Sequence, residues 1–177
     1  MTAEMGLTEG MVMRTHTITE SPIGDLGLVN TDGVLSGLYM KGRALGRTVL
    51  GERKSSGFEQ AVEELSEYFN GERRDFTVTT AAHGDTFQHR VWALLKRIAY
   101  GETRSYGAIA RDLGDPALAR AVGFANAHNP ISIIVPCHRV IGSDGSLTGY
   151  AGGLESKRYL LDLETPAEAR AATLFQA

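Results

Sequence analysis

Cysteine is almost absent from this sequence: among 177 residues, Cys137 is the only one. A lone cysteine cannot form an internal disulfide, which indicates a reducing compartment, so we expect a cytoplasmic protein. Cys137 and the five histidines show no spacing typical of zinc ligands. We therefore expect no metal site and no cofactor.

Long apolar runs are absent as well. No segment reaches the roughly 18 consecutive apolar residues of a membrane-spanning helix. The first 15 residues contain Glu4 and Glu9 and lack the apolar core of a secretory signal. We expect no membrane partner, a disordered extension at residues 1–12 and a tail at residues 166–177.

Positive charge is scarce overall, since the net charge is −3, and this argues against nucleic-acid binding. The distribution is uneven, however. Residues 1–85 contain 8 Lys and Arg against 13 Asp and Glu, whereas residues 86–164 contain 9 against 7. A basic half beside an acidic half is compatible with phosphate binding by the second half, although the excess is small.

The pattern over residues 13–82 predicts a small N-terminal α/β domain. Three alternating segments separated by turn residues predict an antiparallel meander; they are residues 13–20, 25–30 and 34–40. Residues 41–57 predict a loop, residues 58–71 a helix that stops at Asn70-Gly71, and residues 75–79 another strand. Residues 80–85 predict a linker.

Residues 86–165 predict a mainly helical C-terminal domain, which makes the whole chain α+β. A helix over 86–100, with Gly101 just beyond its end, is followed by a short helix over 106–114 with Ser105 as its cap, and by another helix from Pro116 with Asp115 as its cap. Two short helices joined by a tight turn predict a helix-turn-helix. The rest predicts a buried strand, a turn and a last helix, over residues 131–136, 143–145 and 154–164.

The second helix of that pair, residues 116–127, has an unusual outer face. Its inward stripe is predicted from the apolar residues Leu118, Ala121, Val122 and Ala125. The outer positions carry small residues and one cation instead of a mixture of Lys and Glu; they are Arg120, Gly123, Phe124 and Ala127. Small side chains would allow close approach to a large flat partner. A helix buried on both sides, with Arg120 in a structural ion pair, remains the alternative.

Cys137 lies between Pro136 and His138, where an apolar run meets polar residues. A free thiol has a pKa of about 8.5 and needs a nearby base or cation to react at neutral pH. In the last helix, Glu164 shares the arc of Leu154, Leu160 and Leu161, at the end where the helix dipole disfavours a carboxylate. An inward acid there suggests a His138–Glu164 pair that orients a base. The alternatives are an inert buried cysteine, and a Glu164 that is solvated or paired with Lys157.

Several segments resemble the O6-alkylguanine-DNA alkyltransferases, a family of suicide DNA-repair proteins. The clearest is Asn129-Pro130 followed by PCHRV (136–140). The other segments occur in the family's order and at its spacing; they are FQHRVW (87–92), YGETRSYGAIA (100–110), ARAVG (119–123) and GYAGGLESK (149–157). The resemblance covers essentially all of residues 86–164, and the meander with SPIG (21–24) resembles the family's N-terminal domain more weakly.

This resemblance implies roles for the residues around the thiol. Cys137 would accept the alkyl group, His138 would act through a water as its base, and Glu164 would hold the imidazole. Asn129 would brace the active-site turn. The backbone carbonyls of Cys137 and Val140 would read the exocyclic amine of guanine, and the remaining pocket wall would come from Tyr150, Ala151, Gly152 and Gly153.

The resemblance also implies how the chain meets DNA. Tyr106 would crowd a phosphate, help rotate the nucleotide out of the stack and donate to guanine N3, while Arg120 would fill the vacated place from the minor groove. The neighbouring helix positions at the DNA would be Ala119, Ala121, Gly123 and Ala127. The implied fold has a ribonuclease-H-like N-terminal domain. Ala151 replaces a serine of some members, and the lack of cysteine in residues 1–85 argues against the zinc site that other members carry.

The implied function is the irreversible, single-turnover transfer of the alkyl group of O6-alkylguanine in double-stranded DNA to Cys137, by a monomer. Activity on O4-alkylthymine and cooperative loading on DNA stay open. Three rival functions are weighed: a non-repairing alkylated-DNA-binding protein, a Cys-His-Glu hydrolase and a transcription factor. Cys137 argues against the first and the bare helix face against the second. A reading helix would need more polar side chains than residues 116–127 offer, which argues against the third.

Overall fold

The computed structural model of the chain describes residues 12–40 and 50–166. The N-terminal part holds a four-stranded sheet whose strands lie in the order β3 (Val34–Met40), β2 (Leu26–Thr31), β1 (Arg14–Thr19) and β4 (Glu52–Arg53). Strands β1 (Arg14–Thr19), β2 (Leu26–Thr31) and β3 (Val34–Met40) form the predicted antiparallel meander. The turn between β2 and β3 has two residues, Asp32 and Gly33, both with positive φ (51° and 82°), as a tight hairpin requires.

Helix α1 (Glu59–Phe69) follows the predicted span, whereas the loop predicted before it contains a short strand, β4 (Glu52–Arg53), parallel to β1. Both β4 residues are exposed, so no apolar alternation reveals the strand. Residues 1–11, 41–49 and 167–177, which include most of the predicted extension, loop and tail, lie outside the described residues.

The strand predicted at residues 75–79 is wrong. Thr80 alone forms an isolated bridge, to Leu35. Burial alternates along the segment, but the backbone N–H groups of Thr77 and Val78 donate to the carboxylate of Glu64, at 2.8 and 3.2 Å. Glu64, only 3% exposed, therefore replaces the neighbouring strand as the hydrogen-bond partner of this backbone.

The C-terminal part contains α2 (Thr86–Leu95), α3 (Tyr106–Asp112), α4 (Ala119–Ala127) and α5 (Gly153–Glu164). Two short parallel strands, β5 (Arg104–Ser105) and β6 (Val140–Ile141), pair beside them. Helix α2 ends five residues before the predicted end, where tighter turns replace it: the N–H groups of Arg97 and Ile98 donate to the carbonyls three residues earlier, at 3.1 and 3.0 Å. Beyond the helix, the Ile98 carbonyl accepts from the Arg139 side chain at 2.6 Å. None of the helices in residues 12–40 and 50–166 is long and apolar enough to span a membrane.

Two inward stripes differ from the prediction. In α4 the buried residues are Val122, Ala125 and Asn126, and Ala121 is exposed because it lies about 100° around the helix from Val122. In α5 the buried residues are Lys157, Leu160 and Glu164, while Leu154 in the first turn is 48% exposed. The stripe along α5 thus carries two ionisable groups inward.

The strand predicted at residues 131–136 is also wrong, although the segment is buried. Only isolated bridges occur there, between Leu38 and Ile131 and between Ser132 and Val135. An apolar run of this length signals burial without fixing the backbone conformation. One hydrophobic core includes residues of both halves, among them Leu38, Leu65, Val91, Ile131 and Leu160. The α+β class, with a sheet domain followed by a helical domain, is confirmed.

Candidate active site

The only cysteine begins a 3₁₀ turn, Cys137–Arg139. Before it, Pro136 has φ −80° and ψ 65°, and the Cys137 N–H donates to the Val135 carbonyl at 2.8 Å, which forms an inverse γ-turn. The chain therefore bends sharply at the thiol. Cys137 and His138 are neighbours on a turn and do not point to opposite faces of a strand.

Asn129 braces the segment that enters this turn. Its side chain accepts from the Ile131 N–H at 3.0 Å and donates to the Val135 carbonyl at 2.8 Å. Between these two contacts lies Ile133, whose φ of 72° is rare for a β-branched residue and costs roughly 1–3 kcal/mol. The buried amide of Asn129 (7% exposed) thus spans a strained stretch of backbone next to the thiol.

The thiol of Cys137 is buried, 2% exposed. Burial raises its pKa, whereas hydrogen bonds from Asn129 and Ser132 and the positive charge of Lys157 act in the opposite direction. The net effect is a raised pKa, so the resting group is the neutral thiol. Formation of the thiolate therefore needs a base within the site.

His138 can supply that base. Its Nε2 lies 2.7 Å from Oε1 of Glu164, and since a carboxylate only accepts, Nε2 carries the hydrogen. The neutral ring then has its lone pair on Nδ1, which is buried and has no hydrogen-bond partner among the described residues. Burial lowers the pKa of His138, partly offset by Glu164, so the imidazole is neutral at pH 7 and able to take a proton.

Glu164 is the centre of a buried polar cluster. It also accepts two hydrogen bonds from the Arg139 guanidinium, at 2.8 and 2.9 Å, and one from the Tyr68 hydroxyl at 2.7 Å. Burial alone would raise the pKa of the carboxyl group, but the hydrogen bonds and charges of His138 and Arg139 lower it to about 2. Glu164 is thus ionised and fully partnered, which fixes the orientation of the imidazole.

Lys157 does not pair with Glu164, the alternative left open by the sequence. Its ammonium group is buried and donates to the carbonyls of Val140, at 2.6 Å, and Thr148, at 2.9 Å. Burial lowers its pKa. Lys157 ties the strand after the thiol to the loop that precedes α5.

That loop carries the predicted pocket wall. The hydroxyl of Tyr150 is buried and has no partner among the described residues, and burial raises its pKa, with a further contribution from Cys137. Ala151 and Gly152 are half-buried and Gly153 is exposed. A Cβ at Gly152 would overlap the Met40 side chain of β3 and stand 3.3 Å from Tyr150, so any other residue there would have to displace Met40.

The predicted helix-turn-helix is present as α3 and α4. Ser105 accepts from the Ala108 N–H at 3.1 Å and Asp115 from the Ala117 N–H at 2.8 Å, so both predicted caps are confirmed. A 3₁₀ turn, Pro116–Leu118, leads into α4. The indole N–H of Trp92 holds α4 against α2 through the Ala125 carbonyl at 2.9 Å.

The outer face of α4 is open. Arg120 and Ala121 are exposed, and Ala119, Gly123 and Ala127 are half-buried. Within residues 12–40 and 50–166, Arg120 has no ion pair, so the structural ion pair considered for it is absent. The Tyr106 ring lies beside Gly123, where a Cβ would stand 3.8 Å from it, and its hydroxyl is 3.4 Å from the Thr148 carbonyl.

These contacts bring together most of the predicted site, with Cys137, His138, Asn129, Val140, Tyr150 and Glu164 in or beside one buried cluster. They do not connect Arg120 to it. Three participants carry no assigned role in the sequence prediction: Tyr68, Arg139 and Asn126, whose amide donates to the Cys137 carbonyl at 3.3 Å. Arg139 directly follows His138 in the sequence, so its participation could have been inferred from the sequence. Tyr68 lies in the N-terminal half, and nothing in the sequence near it points to this site.

Both halves of the sequence match family models. The DNA-binding domain of 6-O-methylguanine DNA methyltransferase matches residues 86–166, and the ribonuclease-like domain of the same family matches residues 14–82. A relative from Mycolicibacterium paratuberculosis, named methylated-DNA–protein-cysteine methyltransferase, is 48% identical over 92% of this chain and 99% of its own length.

Solved structures agree with these matches. The O6-methylguanine methyltransferase of Mycobacterium tuberculosis has 49% sequence identity and a TM-score of 0.80, covering 92% of this chain and 99% of its own. M. tuberculosis OGT in complex with DNA has 48% identity and a TM-score of 0.81, covering 87% and 96%. At this identity and coverage, with both halves matched, the chain belongs to the 6-O-methylguanine DNA methyltransferase family.

Proposed function

We propose that this chain repairs DNA by transferring the alkyl group of O6-alkylguanine in double-stranded DNA to the sulfur of Cys137. The observation that carries the proposal is the arrangement around one buried thiol. His138 follows it on the same turn; its Nδ1 has no hydrogen-bond partner in the described part of the chain, and its Nε2 is held by an ionised Glu164. Such an arrangement activates a nucleophile while the third group orients the base.

The chemistry is an in-line displacement at the alkyl carbon. His138 Nδ1 takes the thiol proton through one water, and the sulfur forms a bond to the carbon as the carbon–O6 bond breaks. The electron pair of that bond stays on guanine, where a proton from Tyr106 at N3 neutralises it. Exchange with solvent returns Tyr106 and His138 to their starting protonation states.

The thioether formed at Cys137 has no leaving group that water can displace easily. Each molecule therefore acts once, and the reaction is stoichiometric. No cofactor takes part in this scheme. Asn129 holds the turn, and the pocket around the guanine comes from the carbonyls of Cys137 and Val140 and from residues 150–153.

The target carbon lies inside a duplex, so the nucleotide must leave the base stack, at a cost of a few kcal/mol. Helix α4 enters the minor groove with its small outer residues, and Arg120 occupies the gap left by the extruded base. The absence of an ion pair for Arg120 among the described residues supports this role, because the side chain is available. Binding is largely independent of sequence and depends on phosphate contacts.

We further propose that residues 13–82 and 86–165 are the two domains, and that the chain acts as a monomer on DNA. The second domain carries the thiol, the helix-turn-helix and Glu164. The first contributes Tyr68 to the Glu164 cluster.

A titration tests the function. Purified protein is mixed with increasing amounts of a duplex that carries one O6-methylguanine, and peptides are weighed by mass spectrometry. The expected result is one methyl group per molecule on the peptide that contains Cys137, followed by no further activity. Cys137→Ser should abolish transfer and still bind the duplex. Tight binding by the native chain without transfer would indicate a damage-binding protein, and repeated turnover would indicate a hydrolase.

A further inference from the structure

Phe124 is a large apolar side chain left in solvent. It lies on the outer face of α4 and is 61% exposed, whereas the neighbouring apolar residues Val122 and Ala125 are fully buried. A single exposed apolar side chain is common on protein surfaces, so exposure alone assigns Phe124 no partner; its position on α4 and its neighbours carry the argument. The mechanism proposed above gives Phe124 no role.

The ring is held in place before any partner binds. It stacks on the imidazole of His128, with ring centroids 3.9 Å apart and an interplanar angle of 27°. Nδ1 of His128 lies 2.7 Å from the Phe124 carbonyl, and since a carbonyl only accepts, Nδ1 donates this hydrogen bond. The imidazole is thereby fixed against the Phe124 ring, so binding loses little side-chain freedom.

The stacked rings of Phe124 and His128 lie on the same side of α4 as Arg120. Arg120, Phe124 and His128 follow one another at intervals of four residues, which places them about 6 Å apart along the axis on one side of the helix. Residues 119–128 contain no Asp or Glu that would repel phosphates. On the other flank, Tyr106 lies beside Gly123.

We propose that Phe124, supported by His128, packs against the deoxyribose rings that line the minor groove, one helical turn from Arg120. This inference rests on the proposed function in one respect, namely that α4 enters DNA. Minor-groove-binding proteins frequently place apolar side chains such as Phe at the DNA, commonly as wedges between base steps. The deoxyribose rings that wall the groove offer apolar surface to a ring on the side of the helix. The contact adds affinity for damaged and undamaged duplexes alike, because the deoxyribose rings are the same in both.

The test compares Phe124→Ala with the native chain on short duplexes, with and without one O6-methylguanine, between 50 and 200 mM salt. Loss of most of an aromatic contact should weaken both affinities about tenfold. The slope of log affinity against log salt should not change, because no phosphate contact is lost. A lost phosphate contact would reduce that slope by about one. Since the ring is exposed, the unfolding midpoint should not fall.

Graded and matched variants complete the design. Phe124→Leu should recover part of the affinity because it restores apolar area. His128→Ala should weaken binding about threefold, because the ring loses its support. Ile18→Ala removes another exposed apolar side chain, 38% exposed on β1, and should leave DNA affinity unchanged.

Two results would overturn the inference. Native affinity of Phe124→Ala at every salt concentration would remove Phe124 from the DNA interface. A free-protein dimer that dissociates in Phe124→Ala, detected by sedimentation, would assign the face to a second copy of the chain. Methyl transfer to Cys137 at saturating duplex is measured in parallel. If the native chain transfers nothing while Phe124→Ala still weakens binding, the proposed function fails and this inference stands.

Discussion

Tyr68 of helix α1 donates a hydrogen bond of 2.7 Å to Glu164 at the end of helix α5, 96 residues later in the chain. Both side chains are buried, and the same carboxylate oxygen accepts from His138. The N-terminal half therefore supplies one of the groups that hold Glu164, the hydrogen-bond partner of the proposed base His138.

Removing only the Tyr68 hydroxyl should slow methyl transfer without unfolding the chain. Tyr68→Phe keeps the packed ring, but the Glu164 oxygen that also accepts from His138 loses one donor, so the carboxylate is positioned less firmly. With fewer competing donors the carboxylate should stabilise protonated His138 more strongly, so the pKa of His138 should rise. We expect a single-turnover rate several-fold lower, with the acid limb of its pH profile moved to higher pH, and a loss of about 1.5–3 kcal/mol in the free energy of unfolding. Tyr159→Phe, on a half-exposed ring of α5, is the matched control. An unchanged pH profile would leave Tyr68 with a purely structural role.

Acid should destabilise the fold through Glu164. Its pKa in the folded chain is about 2, against an ordinary value of 4.5, so between these values the unfolded state binds more protons. The free energy of unfolding should therefore fall as pH drops from about 4.5 to 2, by about 3 kcal/mol from this group. Urea unfolding at several pH values measures the slope.

In Glu164→Gln the free energy of unfolding should vary less with pH over the same window. The variant should also be less stable at neutral pH, because Arg139 keeps a buried charge without its partner. Glu155→Gln, at an exposed position in the first turn of α5, serves as the control. A slope in Glu164→Gln as steep as that of the native chain would show that another group causes the acid sensitivity.

Methyl transfer should be insensitive to pH around neutrality. Burial lowers the pKa of His138 below its ordinary value of 6.5. The proposed reaction uses the neutral imidazole as proton acceptor. The rate should therefore decline only at pH values below 6.5. Single-turnover rates between pH 5 and 8.5 test this, and His138→Gln should be slow at all of them. A decline that begins above pH 7 would contradict a His138 with a lowered pKa.

Both hydrogen bonds of the Asn129 side chain should contribute to stability and to the rate of methyl transfer. Asn129→Asp keeps an acceptor for the Ile131 N–H but has no donor for the Val135 carbonyl, whereas Asn129→Ala loses both contacts. We expect faster amide hydrogen exchange at Ile131 in Asn129→Ala alone, and slower methyl transfer in both variants. Loss of a buried partner should cost about 1–3 kcal/mol of stability for each group left unpaired. If amide exchange at Ile131 and methyl transfer in Asn129→Ala keep their native rates, the strained turn at Ile133 is stable without the Asn129 side chain.

Local patterns predict much of this architecture. The meander, α1, both caps of the helix-turn-helix and α5 follow from alternation, helical spacing and capping residues. The His138–Glu164 pair is also foreseeable, because a carboxylate on an inward arc at the wrong end of a helix needs a partner. The strands predicted at 75–79 and 131–136 fail for a shared reason: apolar alternation and apolar runs report burial, not the hydrogen-bond partner of the backbone.

What the pattern does not contain is contact between distant segments. Glu64 takes the place of a strand for Thr77 and Val78, and Arg139 binds the Ile98 carbonyl beyond the end of α2. Tyr68 reaches Glu164 only because α1 packs against the C-terminal half. Each of these is a side chain that binds far from its own position in the sequence.

Two backbone hydrogen bonds join β3 to the segment before the thiol, and they bear on how the chain unfolds. Leu38 donates to the Pro130 carbonyl at 2.8 Å and accepts from the Ser132 N–H at 3.2 Å, so the sheet of the first domain directly holds the approach to Cys137. Cutting the chain at the linker would orphan these groups and remove Tyr68 as well. Although the two halves are separate in sequence, we expect them to unfold together, and we expect a C-terminal half cut free at the linker to lose part of its active-site geometry.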